Sequence, residues 1–416
     1  MRVNIRKNIT KCLKVFLIAA IFPSMAIATE KCDVQVNGAH SFRSFQHVIN
    51  SVTDVNKDQI LKICLSSGAI VSQSGQNDLT SLTINRNNLQ IHGVGNFFLY
   101  YTLDSDYKNV IKVSNAKNVT IKGINIIEYA PYGRGLYIGE ESHIKELSNL
   151  TVYTLGKVGT GIHISPASQS RIDTIKDITF YTYPYFGSFD INEAYGISAY
   201  NSKIGLIKNL SFINMTEDSR AANFYGGYIG EIDNMRVTNG TGLFTLGADI
   251  NEIKNSVFNV VGSGIVLQGV GPQGSTVGSV ENIHITSNVG PGFVVGEGSI
   301  LDNARNISVK VRNELGYGFG ISVYEGTVGS MDRVIVEGGG TNVLVWGTGY
   351  IRSLSRFSLK NTGTYSVQGP GIIALGGGRI ALLNTGVIDV GSTGGKPIVG
   401  EVDKKIDVIE IPKVSK

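Results

Sequence analysis

Apolar residues return along most of this chain in one pattern. An apolar residue, two spacers and a second apolar residue lead through one spacer to an asparagine or its substitute, and alternating apolar residues follow. The pattern reads Ile144-Lys145-Glu146-Leu147-Ser148-Asn149-Leu150-Thr151-Val152, then Ile172-Asp173-Thr174-Ile175-Lys176-Asp177-Ile178-Thr179-Phe180. It recurs at 204–212, 229–237, 250–258, 277–285, 328–336 and 351–359. The asparagine-type position falls at 118, 149, 177, 209, 234, 255, 282 and 306, so the repeat is 21 to 32 residues long. A period in this range signals a solenoid. Within each unit the apolar residues alternate with period two, so the units are strands.

A unit of this size supplies three short strands and three turns. The first strand ends at the asparagine and the second follows it. The third begins after glycine, as in Gly161-Ile162-His163-Ile164, Gly196-Ile197-Ser198-Ala199, Gly264-Ile265-Val266-Leu267 and Gly371-Ile372-Ile373-Ala374. Parallel stacking places equivalent side chains about 4.8 Å apart, so apolar columns fill the interior and the asparagines form a ladder. Asparagine accepts the left-handed backbone of a sharp turn, and its role here is structural. Leucine-rich repeats are the rival architecture, but their fixed consensus is absent, and a varying unit length fits a rung with one free turn. The predicted fold is an all-β, right-handed parallel β-helix of about 11–12 rungs with three strands each.

Such a solenoid needs closed ends. Ser41 precedes Phe42, Phe45, Val48, Ile49 and Val52, whose spacing predicts a short capping helix with Ser41 as its N-cap. The expected organisation is a cap and first rung over 29–85, the β-helix over 86–395 and a C-terminal tail over 396–416. The alternation of the tail, ending Ile406-Asp407-Val408-Ile409-Glu410-Ile411-Pro412, suits a strand lying across an exposed aliphatic face.

Residues 1–28 read as a signal peptide. Five basic residues (Arg2, Arg6, Lys7, Lys11 and Lys14) are followed by an apolar run too short for a membrane anchor and by Ala26-Ile27-Ala28, a peptidase-type site. Removing those five charges takes the net charge from +4 to −1. Bulk charge therefore implies no nucleic-acid partner. Cleavage also removes Cys12, and Cys32 and Cys64 are left to form a disulfide in the periplasm or outside the cell. No metal-ligand spacing or cofactor motif is present. Asp54-x-Asn56-x-Asp58 lacks the later residues of a calcium loop, and Gly269-x-Gly271-x-x-Gly274 lacks the strand-to-helix context of a dinucleotide site.

The capping helix, the strand ending at Ser67-Gly68 and the asparagine turns carry a resemblance. With them go the rungs Asn88-Leu89-Gln90-Ile91-His92-Gly93 and Asn118-Val119-Thr120-Ile121-Lys122-Gly123. Over residues 30–395 the chain resembles the pectin lyase-like superfamily of right-handed parallel β-helices. The resemblance implies the fold and leaves activity open, since the superfamily includes polysaccharide lyases, galacturonases, uronate epimerases, phage depolymerases and adhesins. Arg-x-Pro-x-x-Arg, Asp-Pro-His-Asp, Gly-His-Gly and Arg-Ile-Lys, which mark characterised enzymes of that fold, are absent.

In this fold the substrate groove is typically formed by the post-glycine strand and its loops. Alternation predicts one outward column of Tyr137, His163, Ser198, Phe244, Val266, Val294, Ser322, Leu344 and Ile373. A second holds Glu140, Ser165, Tyr200, Tyr225, Gln268, Tyr324 and Trp346. The early half is polar and aromatic, and the late half is aliphatic. The long loops 128–135, 181–195 and 214–222 flank the early half. The expected catalytic group is Glu193, Arg220, Asp190 and His163, and the expected substrate-binding group is Tyr137, Arg134, Tyr200, Tyr225, Glu217 and Asp218. Paired carboxylates suit glycoside hydrolysis. A base with a cation suits a lyase, and tyrosine faces suit sugar rings. Two readings stay open: an enzyme acting on a polysaccharide, and a non-catalytic β-helix for adhesion or exopolysaccharide handling. In the second, the aliphatic face takes a protein partner or a second copy.

Overall fold

A computed structural model describes residues 31–51, 59–72, 79, 81–101, 108–139, 141–156, 158–166, 169–182, 194–213, 215–269, 273–312, 318–338, 340–362, 369–390 and 396–411. Residues 34–416 form one compact unit, a parallel β-solenoid of about twelve turns with one short helix near its start. Cys32 and Cys64 are joined by a disulfide.

The repeat in the sequence is the register of the structure. Ile144, Ile172, Ile204, Ile229, Ile250, Val277, Leu301, Val328, Ile351 and Ile380 pair in turn, rung on rung. All are buried. Three positions beyond the asparagine-type residue a parallel column runs through Phe180 and Phe212, whose rings stack at 4.7 Å. Fully burying a side chain of this size is worth about 1.5–3 kcal/mol, so the columns are the main source of stability. The post-glycine strands start with glycine because a Cβ on Gly161 would lie 2.7 Å from the Phe180 ring.

The asparagine turn bends each long strand. Asn209, Asn234, Asn255 and Asn282 all hold left-handed backbone, with φ of 53°, 56°, 51° and 56°. Asn234 donates to Asn209 Oδ1 at 2.8 Å and Asn282 to Asn255 Oδ1 at 3.0 Å. Asn255 departs from this chain of bonds and donates to Asp233 Oδ1 at 2.9 Å. At later rungs Arg333 and Arg356 take the turn position, also at positive φ.

The N-terminal opening is closed by helix α1, Phe42–Ser51, which turns Phe42, Phe45 and Ile49 into the core. Ser41 Oγ accepts from Ser44 N at 3.1 Å, the N-cap bond expected from the sequence. The Phe45 ring meets Phe98 edge-on at 5.5 Å. Gln46 exchanges two bonds with the Thr83 backbone, at 2.8 and 2.7 Å.

The other end is closed differently. Ile398–Ile411 does not lie across the aliphatic face; it runs parallel to Ile372–Asp389 as a last rung. The alternation that suggested a covering strand is the alternation of one more rung. Two of its inward registers, stacked on Leu383 and Ile388, are held by Lys405 and Glu410. Their side chains pair with each other at 2.7 Å. Both are exposed, so the pair adds little stability. Its consequence is that a further strand stacked there would bury charge, which costs several kcal/mol.

Replacing Asn234 with Leu should lower stability by roughly 1–2 kcal/mol, from the lost turn bond and the left-handed backbone. Thermal unfolding checks this, and an unchanged midpoint would show that the ladder contributes nothing. The double change Lys405→Leu with Glu410→Leu should promote end-to-end association, visible as a rise in mass by light scattering. An unaltered mass would remove the blocking role given to these charges.

Candidate functional site

The site is built on the outer face of the sheet that contains Arg134–Gly139, Thr160–Ile164, Tyr195–Tyr200, Arg220–Tyr225 and Thr241–Leu246. Parallel register lines up three outward columns. One runs Arg134, Thr160, Tyr195, Arg220, Thr241. The next runs Lys112, Tyr137, His163, Ser198, Asn223, Phe244. The third includes Tyr200, Tyr225 and Leu246.

Two positions differ from those expected. Asn223 stands between Ser198 and Phe244, where the alternation count had joined them directly. Gly139 pairs with Ser114 and, as the register continues, faces Ser165 in the place expected for Glu140. Glu140, Asp190 and Glu193 lie outside the described residues.

The rings form a continuous strip. Tyr137 stacks on His163 at 5.6 Å and 11° between planes, and His163 lies 5.7 Å from Tyr200. Tyr200 stacks on Tyr225 at 4.6 Å and 6°, and Tyr225 lies 6.2 Å from Phe244. Stacking along the axis occupies the ring faces with one another. Hydroxyls and ring edges are what remain for a ligand, a correction to the face-on sugar contact expected from the sequence.

Cations bracket the strip. The Arg134 guanidinium lies 5.2 Å from the Tyr137 ring centre and Lys112 Nζ 5.9 Å. The Arg220 guanidinium lies 4.6 Å from the Phe244 centre. Arg134 and Arg220 are three rungs apart, about 14 Å at the usual strand spacing. Among the described residues the three columns carry no carboxylate over these rungs. Carboxylates of the same rungs stand on the neighbouring sheet and pair with lysines, Glu146 with Lys176 at 3.3 Å and Asp233 with Lys208 at 3.0 Å.

Burial, and then the nearby Arg134 charge, push the His163 imidazole down to about 4. The ring is therefore neutral near pH 7, a hydrogen-bonding group and a weak base. Glu217 and Asp218 are exposed in the turn before Arg220. That turn is held from below: Ser219 Oγ accepts from Ala194 N at 3.1 Å and meets the Thr216 hydroxyl. No hydrogen bond or ion pair ties Glu217 or Asp218 to the strip among the described residues.

Glu128 was a loop residue by sequence, yet its side chain points inward and is completely buried. One carboxyl oxygen accepts from Ala130 N, and the other has no partner. Burial pushes this carboxyl up to about 8. A Cβ on Gly133 would overlap the carboxyl, so glycine there makes room for it. The signal in the sequence was parity: Glu128 continues the inward series Ile124, Ile126.

The unfolded chain releases the Glu128 proton near pH 4.5, whereas the folded chain keeps it to about pH 8. Stability should fall as pH rises through this window and level off above it. Glu128→Gln should remove that slope. Its stability gain over the parent should be small at pH 5 and grow by roughly 3–5 kcal/mol towards pH 8. Denaturant unfolding at the two pH values checks this; a pH-independent difference would show that Glu128 ionises normally.

No family model matches this sequence, and no curated protein matches it either. Among solved structures the chain is similar to PfbA, a surface adhesin of Streptococcus pneumoniae, at 8% identity, with 87% of this chain and 90% of that chain covered. The TM-score is 0.27, a superposition too loose to transfer fold detail or function.

Proposed function

We propose that the mature chain is an exported, non-catalytic β-helix protein that holds an acidic polysaccharide along the strip from Tyr137 to Phe244. One observation carries this reading: a row of phenol and imidazole edges lies between Arg134 and Arg220. Tyrosine hydroxyls and His163 meet sugar hydroxyls, and the guanidiniums meet acidic groups, singly or in bidentate fashion. Export follows from the reading of residues 1–28 as a cleaved signal peptide. The Cys32–Cys64 disulfide fits an oxidising compartment. No helix among the described residues is long and apolar enough to cross a membrane. The resemblance to the pectin lyase-like superfamily is compatible with this role, because that fold serves adhesins as well as enzymes.

A second surface has its own observation. On the late rungs Tyr324 packs 5.4 Å from Trp346, and Trp346 and Leu375 remain 53% and 47% exposed. Large exposed apolar groups in one column suit a protein partner, and adhesion would join this surface to the glycan strip.

Residues 29–416 should bind alginate or dextran sulfate in preference to neutral dextran in calorimetric titration, and less tightly as salt is added. Arg134→Ala and Arg220→Ala should each weaken binding about tenfold without lowering the unfolding midpoint. Time-dependent chain cleavage would instead support catalysis by Glu193, Asp190 and His163 with Arg220. Unchanged binding in both arginine variants would remove the site.

A further inference from the structure

Asn223 occupies an outward position of the strip, between Ser198 and Phe244, and is nevertheless completely buried. Its Nδ2 reaches the Tyr225 hydroxyl at 3.5 Å, and its Oδ1 has no hydrogen-bond partner. The buried Asn96 is satisfied on both sides of its amide. Asn96 donates to Ser66 O and Ala69 O at 2.5 and 3.2 Å and accepts from Val94 N at 2.7 Å. Asn342 also has an unpartnered Oδ1, but its amide donates to Gly338 O and Lys360 O. It stands in register between Gly320 and Gly371, away from the strip. A buried acceptor without a donor lowers stability, and at this position the structure contains no compensating bond.

We propose that Asn223 is a specificity residue of the polysaccharide site, its carboxamide oxygen accepting a hydrogen bond from a sugar hydroxyl. This rests on the glycan-binding reading and adds a demand to it. A carbonyl oxygen takes a donor and repels an anion, so the group recognised here is a free hydroxyl. Carboxylate or sulfate groups go to Arg134 and Arg220. Asn223 is completely buried, so entry requires a neighbouring side chain to move; Tyr225, whose hydroxyl lies 3.5 Å from Asn223 Nδ2, is half-buried beside it. An incoming hydroxyl then supplies the donor that the oxygen lacks.

Asn223→Leu keeps the side-chain size and removes the unsatisfied oxygen. In the full mature chain it should unfold at a temperature no lower than the parent, while alginate affinity falls about three- to tenfold. O-acetylated alginate, with its hydroxyls blocked, should bind parent and variant equally. Asn223→Ala should lose the same affinity, which keeps the test open if the leucine variant folds poorly. Unchanged alginate affinity overturns the proposal, as does an affinity loss that comes only with a lower unfolding temperature, because Asn223 would then be a structural residue. If Arg220→Ala weakens binding and Asn223→Leu does not, this inference alone fails. If neither variant weakens binding, the site itself fails.

Discussion

Parallel stacking at about 4.8 Å per rung constrains every side chain in this solenoid, because each must tolerate its own equivalents directly above and below. Inside, the result is columns of apolar residues with rings in contact, as with Phe180 on Phe212 at 4.7 Å. Outside, the same spacing brings Tyr200 and Tyr225 together at 4.6 Å. Core and site thus share one geometry. Charge must obey it too, and the chain meets the demand in two ways. On one sheet lysines alternate with carboxylates, as at Lys208 and Asp233. On the neighbouring sheet cations lie over rings, as at Arg220 and Phe244.

Much of the fold was legible because the repeat is a physical register. The asparagine positions mark the left-handed turns, and Ser41 with Phe42, Phe45 and Ile49 marks the cap. The errors have identifiable causes. The post-glycine strands were phased on their leading glycine, and at one rung Ala221 stands there instead, so the count passed over Asn223. The inward turn of Glu128 was hidden because a carboxylate in a strand normally marks the outer face. The last rung reads in sequence as a covering strand because alternation alone does not say which neighbour a strand will have.

Ring stacking was illegible for another reason. Alternation tells which face a side chain leaves from, not how it leans. Tyr137 and His163 share one column while Tyr200 and Tyr225 share the next, so the strip crosses between columns where His163 meets Tyr200. That crossing depends on side-chain torsions, which respond to packing and leave no mark in the spacing of residue types.

A solenoid selected only for stability would carry its repeat unbroken, since each departure leaves some group without its matching neighbour. On the late rungs the outward column is mostly aliphatic, with Val266, Val294, Ser322 and Leu344 in register. The early rungs depart from it repeatedly. Arg134 and Arg220 bring charge, His163 is held neutral by burial and by Arg134, and Asn223 keeps an oxygen without a donor. Glu128, buried as the neutral acid beneath the turn that leads to Arg134, belongs to the same rungs. These departures fall within four consecutive rungs on or under one face. The unpartnered oxygens of Glu128 and Asn223 each lower the stability of the free protein, as does that of Asn342 on the late rungs; what sets the early face apart is that stacked rings and cations share it with them.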